Sequence, residues 1–68
     1  MDFILNNQEY IQLNTLLKIM NLVESGGQAN NEIVSGNVKV NNAIELQKRK
    51  KVRKGDNVFF NGKNILVK

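Results

Sequence analysis

The sequence predicts a single α+β domain, and three observations carry that prediction. Apolar residues recur at helical spacing twice in the first half of the chain, and from Gly36 onward the period drops to two. The second half is also punctuated by turn signals, at Asn41 and Asn42, at "KGDN" and at Asn61 followed by Gly62. Sixty-eight residues hold one small core and leave no room for a second domain, so residues 1–68 are read as one unit. The predicted order is strand, helix, helix, then several strands.

The first strand is expected at residues 2–5, where "DFIL" is rich in strand formers. From Glu9 to Met20 the apolar residues Tyr10, Leu13, Leu16, Leu17 and Met20 recur at three- and four-residue intervals and lie along one stripe of a first helix. Ser25 is placed to cap a second helix, with Gln28 three residues later reaching back to the Ser25 backbone N–H in a capping box. Ala29 and Ile33 then share its inner face, and Gly36 stands where a left-handed residue would end it.

Past Gly36, Val38 and Val40 point one way and Lys39 the other, and Asn41 and Asn42 supply the positive φ angles of a tight turn. Val52 sits alone in a basic run, "KGDN" turns the chain, and Val58 and Phe60 share a strand face. Asn61 and Gly62 form the strongest hairpin signal, closed by "ILVK". Phe60 and Tyr10 are expected in the core, and Phe59, on the opposite strand face, is expected to cover the N-terminal strand in preference to stacking on a base. The twelve asparagines are read as genome bias with no functional weight.

Charge is uneven. The net +4 divides into −3 over residues 1–46 and +7 over residues 47–68, and six of the seven positions 48–54 are Lys or Arg. Such asymmetry points to a polyanionic partner, nucleic acid before an anionic membrane surface. A solvated face that served solubility alone would interleave acids with the bases; mutual repulsion among six adjacent cations needs a reason. If Val52 faces the core, Lys51 and Arg53 face away from it and display their charge on an ordered strand, where phosphate contact is the economical explanation. The run "KRKKVRK" also fits a nuclear import signal, but it lies inside the predicted fold.

Several function classes are excluded or disfavoured. There is no Cys and no His, so no disulfide framework, thiolate metal site or imidazole base is available. The six carboxylates are scattered singly, without the spacing of an acid/base pair or a ligand cluster, and the chain is read as non-catalytic, with no cofactor and no metal. "SGGQAN" lacks the Lys-Ser or Lys-Thr of a nucleotide phosphate loop; Gly26 and Gly27 either merely allow a close turn between the helices, the favoured reading when they are taken alone, or leave backbone N–H groups uncovered at a helix N-terminus where a phosphate can approach. No apolar run is long enough to cross a bilayer and the first ten residues do not read as a signal peptide, so a cytoplasmic protein is expected.

The segment 12–58 resembles the S-four-type RNA-binding domain, found in a small-subunit ribosomal protein, tyrosyl-tRNA synthetases and pseudouridine synthases. The resemblance rests on Leu13, Leu16 and Leu17, on Ser25, Ala29 and Ile33, on "G.VKVN" at residues 36–41 and on "V..GD.V" at residues 52–58, without gaps. It is most similar to the small stand-alone bacterial members, which share "ESGGQA" and the basic stretch before "GD". The resemblance implies two helices packed on a small bent sheet, antiparallel or mixed, the alpha-L RNA-binding motif. It also implies that structured RNA is held by the helices and adjoining loops. Many members carry Arg at the positions of Gln12 and Gly26 and a base at that of Asn30, so the helical half of the implied site is short of charge here.

The combined expectation is an RNA-binding protein that grips folded ribosomal or transfer RNA by backbone and shape. Lys39, Lys48, Arg49, Lys50, Lys51 and Arg53 are expected to neutralise phosphates, while Ser25, Gly26, Gly27 and Asn30 present the helix N-terminus and polar contacts. No small-molecule substrate is expected. The rival readings are a protein-interaction adaptor or ribosome-associated factor that uses the basic face on an acidic partner, and a duplex-DNA binder.

Overall fold

A computed structural model describes residues 1–68. Where a segment's hydrogen bonds are local, it forms as its residues dictate. Ser25 is extended (φ −151°, ψ 164°) and its Oγ accepts the Gln28 N–H at 3.1 Å, which starts helix α2 (Gly26–Val34) on the expected residue. The Gln28 side chain closes the entry turn from one residue further upstream than a capping box predicts: its Oε1 accepts the Glu24 N–H at 2.7 Å. Gly36 follows α2 with φ 81° and ends it.

Helix α1 is shorter than its apolar stripe. It spans Leu13–Ile19, and the residues before it form strand β2 (Ile11–Gln12) rather than a first helical turn. The reason is tertiary: Gln12, the N-cap, makes no side-chain cap, and the N–H groups of Leu13 and Asn14 instead donate to the carbonyls of Lys50 (2.9 Å) and Lys48 (3.0 Å). Leu13, Leu16 and Leu17 are fully buried, each contributing roughly 1.5–3 kcal/mol by leaving water. Ile11 joins them in the core. Tyr10, expected there, immediately precedes β2 and is only half buried.

The other strands are β1 (Asp2–Phe3), β3 (Val38–Val40), β4 (Ala43–Ile44), β5 (Lys51–Val52), β6 (Asn57–Phe60) and β7 (Lys63–Val67). Five of them make a mixed sheet in the order β1-β7-β6-β3-β4, parallel between β1 and β7 and antiparallel elsewhere. β2 and β5 make a separate antiparallel ribbon, with Ile11 opposite Val52 and Gln12 opposite Lys51. Both helices cover one face of the sheet: Val38, Val40, Val58, Phe60, Ile65 and Val67 share one apolar cluster with Leu16, Leu17, Ala29 and Ile33. Every fully buried side chain is apolar.

The asparagines are structural. All six non-glycine residues with positive φ are asparagines, namely Asn6, Asn7, Asn21, Asn41, Asn42 and Asn61, which is half of the twelve in the chain. Asn tolerates the left-handed region better than other branched or longer side chains, so these positions turn the chain where Gly would cost more unfolded-state entropy. Asn41 and Asn42 (φ 52° and 70°) and Asn61 and Gly62 (φ 52° and 77°) give the hairpin turns that were expected.

Candidate nucleic-acid interface

The basic run is part of the scaffold. Its backbone crosses the start of α1, where the Lys48 and Lys50 carbonyls cap two otherwise orphaned N–H groups, and then enters the ribbon with β2. Val52 is fully buried beneath it. Because strand neighbours point to opposite faces, burying Val52 sends Lys51 and Arg53 outward, and both are exposed. Lys48, Arg49 and Lys54 are exposed as well, and Lys50 is half buried.

These charges are not neutralised. The single ion pair in the molecule joins Asp2 to Lys68 at 2.9 Å, which leaves nine of the ten Lys and Arg side chains without an acidic partner. Asp56, the only acid of the basic half, is occupied otherwise: its Oδ2 accepts the Arg53 backbone N–H at 2.8 Å and its Oδ1 accepts from Asn41 Nδ2 at 3.0 Å. At Asp2, the hydrogen bond and then the charge of Lys68 hold the carboxyl below its ordinary value.

The start of α2 adjoins this segment through one polar link. Asn14, whose N–H meets the Lys48 carbonyl, donates from Nδ2 to Asn30 Oδ1 at 3.0 Å. Asn30 lies four residues after Gly26 and therefore on the same helix face. The N–H groups of Gly26 and Gly27 have no acceptor within the chain, while Ser25 spends its oxygen on the cap. A Cβ built on Gly26 meets nothing within 4 Å, so close helix packing does not require glycine there. Asn14 thus links the α2 face that carries Gly26 and Asn30 to the backbone of the basic run at Lys48.

Lys39 is not part of that link. Val38 and Val40 are turned to the helices, so Lys39 stands on the outer face of the sheet, across from Ile44 on one neighbour and Phe59 on the other. Phe59, expected chiefly to pack, is 38% exposed there, with Leu66 at 40% and Ile44 at 59%.

Sequence reasoning also missed Tyr10. Its ring lies under two cations, with Lys51 Nζ 5.0 Å and Arg53 Cζ 5.7 Å from the centroid. The alternation Tyr10, Ile11, Gln12 was the available signal, masked by a helical spacing that fits the same residues.

Unpaired cations on the basic run and free backbone N–H groups at the start of α2 are each suited to phosphate oxygens. No three acidic side chains converge anywhere in the chain, and no helix is long and apolar enough to cross a membrane. Two helices on a mixed sheet, with a basic ribbon over the first helix, define a module of the αL type. The chain belongs to the S4 domain family, whose model matches residues 4–68. It is 40% identical over 65 residues to "Putative RNA-binding protein YbcJ" of Escherichia coli (strain K12), covering 96% of this chain and 93% of that protein. The identity and coverage are the same for "Uncharacterized protein YbcJ" of Shigella flexneri. The solution structure of YbcJ from E. coli, described as revealing an αL motif involved in RNA-binding, is similar at a TM-score of 0.74. It is 39% identical, with 97% of this chain and 84% of that one aligned.

Proposed function

We propose that this protein is a non-catalytic RNA-binding protein of the cytoplasm that holds structured RNA, ribosomal or transfer RNA, mainly through backbone phosphates and shape. Lys48, Arg49, Lys50, Lys51 and Arg53 neutralise phosphates. The Gly26 and Gly27 N–H groups receive a further phosphate at the positive end of α2, with Ser25 and Asn30 as flanking polar contacts. Lys39, on the outer sheet face, reaches only an RNA that continues around the β3–β4 edge.

One observation carries this reading: the segment that bears these five cations is anchored to the fold through the Lys48 and Lys50 carbonyls and the buried Val52, and none of the five has an acidic partner. A charge cluster built for solubility has no need of that fixation. Likeness to a protein named as RNA-binding supports it further.

The test is binding of a folded RNA hairpin to the wild type and to a variant with Lys48, Arg49, Lys50 and Lys51 all replaced by Ser. With the fold verified by thermal unfolding, affinity should drop by more than about tenfold, since each lost phosphate contact carries a log slope of about 0.7 in salt. Unchanged affinity would overturn the assignment. The exposed Ile44, Phe59 and Leu66 favour a second reading, an adaptor that meets a protein partner with its outer sheet face. Retention of all partners from lysate after ribonuclease treatment would support it over RNA.

A further inference from the structure

Tyr10 carries no charge and was expected in the core, yet it stands at the centre of the basic ribbon. Ile11 and Val52 face inward as a directly opposed pair, so Gln12 and Lys51 occupy the outward face of β2 and β5, and Tyr10 and Arg53, which adjoin those strands, lie beside them on the outside. Lys51 and Arg53 flank the buried Val52, stand over the same ring, and so repel each other. An acid between them would relieve the repulsion but would cancel the attraction for phosphate. An aromatic ring relieves it without cancelling: its negative face attracts both cations and leaves their net charge intact.

We infer that Tyr10 is a positioning residue of the RNA-binding surface, which holds Lys51 and Arg53 side by side, oriented and still fully charged, for two phosphate contacts. The inference rests on the RNA-binding reading. Lys and Arg have long, rotamer-rich side chains, and each loses freedom when it settles on a phosphate. A ring that already restrains both before RNA arrives reduces that loss.

The experiment measures affinity of the full chain for a folded RNA hairpin, and its salt slope, in a set of variants whose folding is followed by thermal unfolding. Tyr10→Leu keeps apolar bulk but removes the ring, and should weaken binding about fivefold. Tyr10→Phe keeps the ring and should stay within about twofold of wild type. Should Tyr10→Leu unfold, Tyr10→Met takes its place. In a background carrying Lys51→Ser and Arg53→Ser, the loss of the ring should cost nothing more, because the residues through which it acts are gone. Wild-type affinity in Tyr10→Leu overturns the inference. So does an equal loss from Tyr10→Leu in the background without the two cations, which would mean that the ring itself touches RNA. So does a Tyr10→Phe variant as weak as Tyr10→Leu, which would assign the effect to the hydroxyl. If the variant with Ser at residues 48–51 loses binding while Tyr10→Leu does not, only this inference falls; if that Ser variant binds as well as wild type, the RNA-binding reading falls with it.

Discussion

Asn41 Nδ2 donates to Asp56 Oδ1 at 3.0 Å and thereby ties the β3–β4 turn to the turn that follows the basic run. The same asparagine accepts the Asn57 N–H on its Oδ1 at 2.9 Å and donates its own N–H to the Asn57 carbonyl at 2.8 Å. With its other oxygen on the Arg53 N–H, Asp56 is a bracket between two turns, which explains how a basic segment keeps an acid without being neutralised by it. Asp56→Ala should therefore destabilise the domain by about 1–2 kcal/mol through the lost charge-assisted hydrogen bonds. Chemical denaturation would measure this, and a stability equal to wild type would show that the bracket is not needed.

Affinity for a folded RNA should fall steeply with salt. For about four phosphate contacts at a log slope of roughly 0.7 each, raising salt from about 50 to 200 mM weakens binding on the order of 50-fold. Fluorescence anisotropy across that range is sufficient to see it. A flat profile would mean that the free cations of the ribbon are bystanders.

Gly26→Arg should strengthen binding. The site is open around Gly26 and its φ is not in the left-handed region, so a side chain enters without strain. A cation at a helix N-terminus is mildly unfavourable, but replacing glycine in a helix offsets that cost, so stability should change by less than about 1 kcal/mol. One more phosphate contact, referred to 1 M salt, should tighten binding about fourfold at roughly 150 mM salt. Weaker binding by the variant would place the start of α2 outside the interface.

The contact between Asp2 and Lys68 should act only above acidic pH. The Lys68 hydrogen bond and charge lower the Asp2 carboxyl from its ordinary value of 3.8, so the pair contributes stability above that value, and the contribution is lost as pH falls through the depressed folded value. The difference in melting temperature between wild type and Asp2→Asn should be present, though small, at neutral pH and should vanish in strong acid. A difference that persists in strong acid would assign it to something other than the ion pair.

Helix α2 and both hairpin turns were legible because each is specified by residues adjacent in sequence: Ser25 with Gln28, Asn41 with Asn42, Asn61 with Gly62. The first turn of α1 was not, because its N–H groups are satisfied by carbonyls more than thirty residues away, at Lys48 and Lys50. An apolar spacing from Tyr10 to Leu17 fits a helix equally well whether or not its first turn exists. The six left-handed asparagines were hidden for the opposite reason, since Asn is common in the chain and only the backbone shows which ones turn it.

The sequence by itself determined the binary pattern, the resemblance that implied the αL motif, and the presence of a concentrated positive charge around a buried Val52; these depend on residue type and short-range spacing. Tertiary structure decided which charges stand together. Lys39 and Lys48 are nine positions apart, yet strand alternation puts Lys39 on the outer sheet face while hydrogen bonds to α1 draw Lys48 to the helical side. Tyr10 lies forty-one positions before Lys51 and sits against it, because β2 and β5 pair across the closed chain. Pairing between distant strands is set by the burial of Ile11 against Val52, and a surface assembled by such pairing is visible only when the core beneath it has formed.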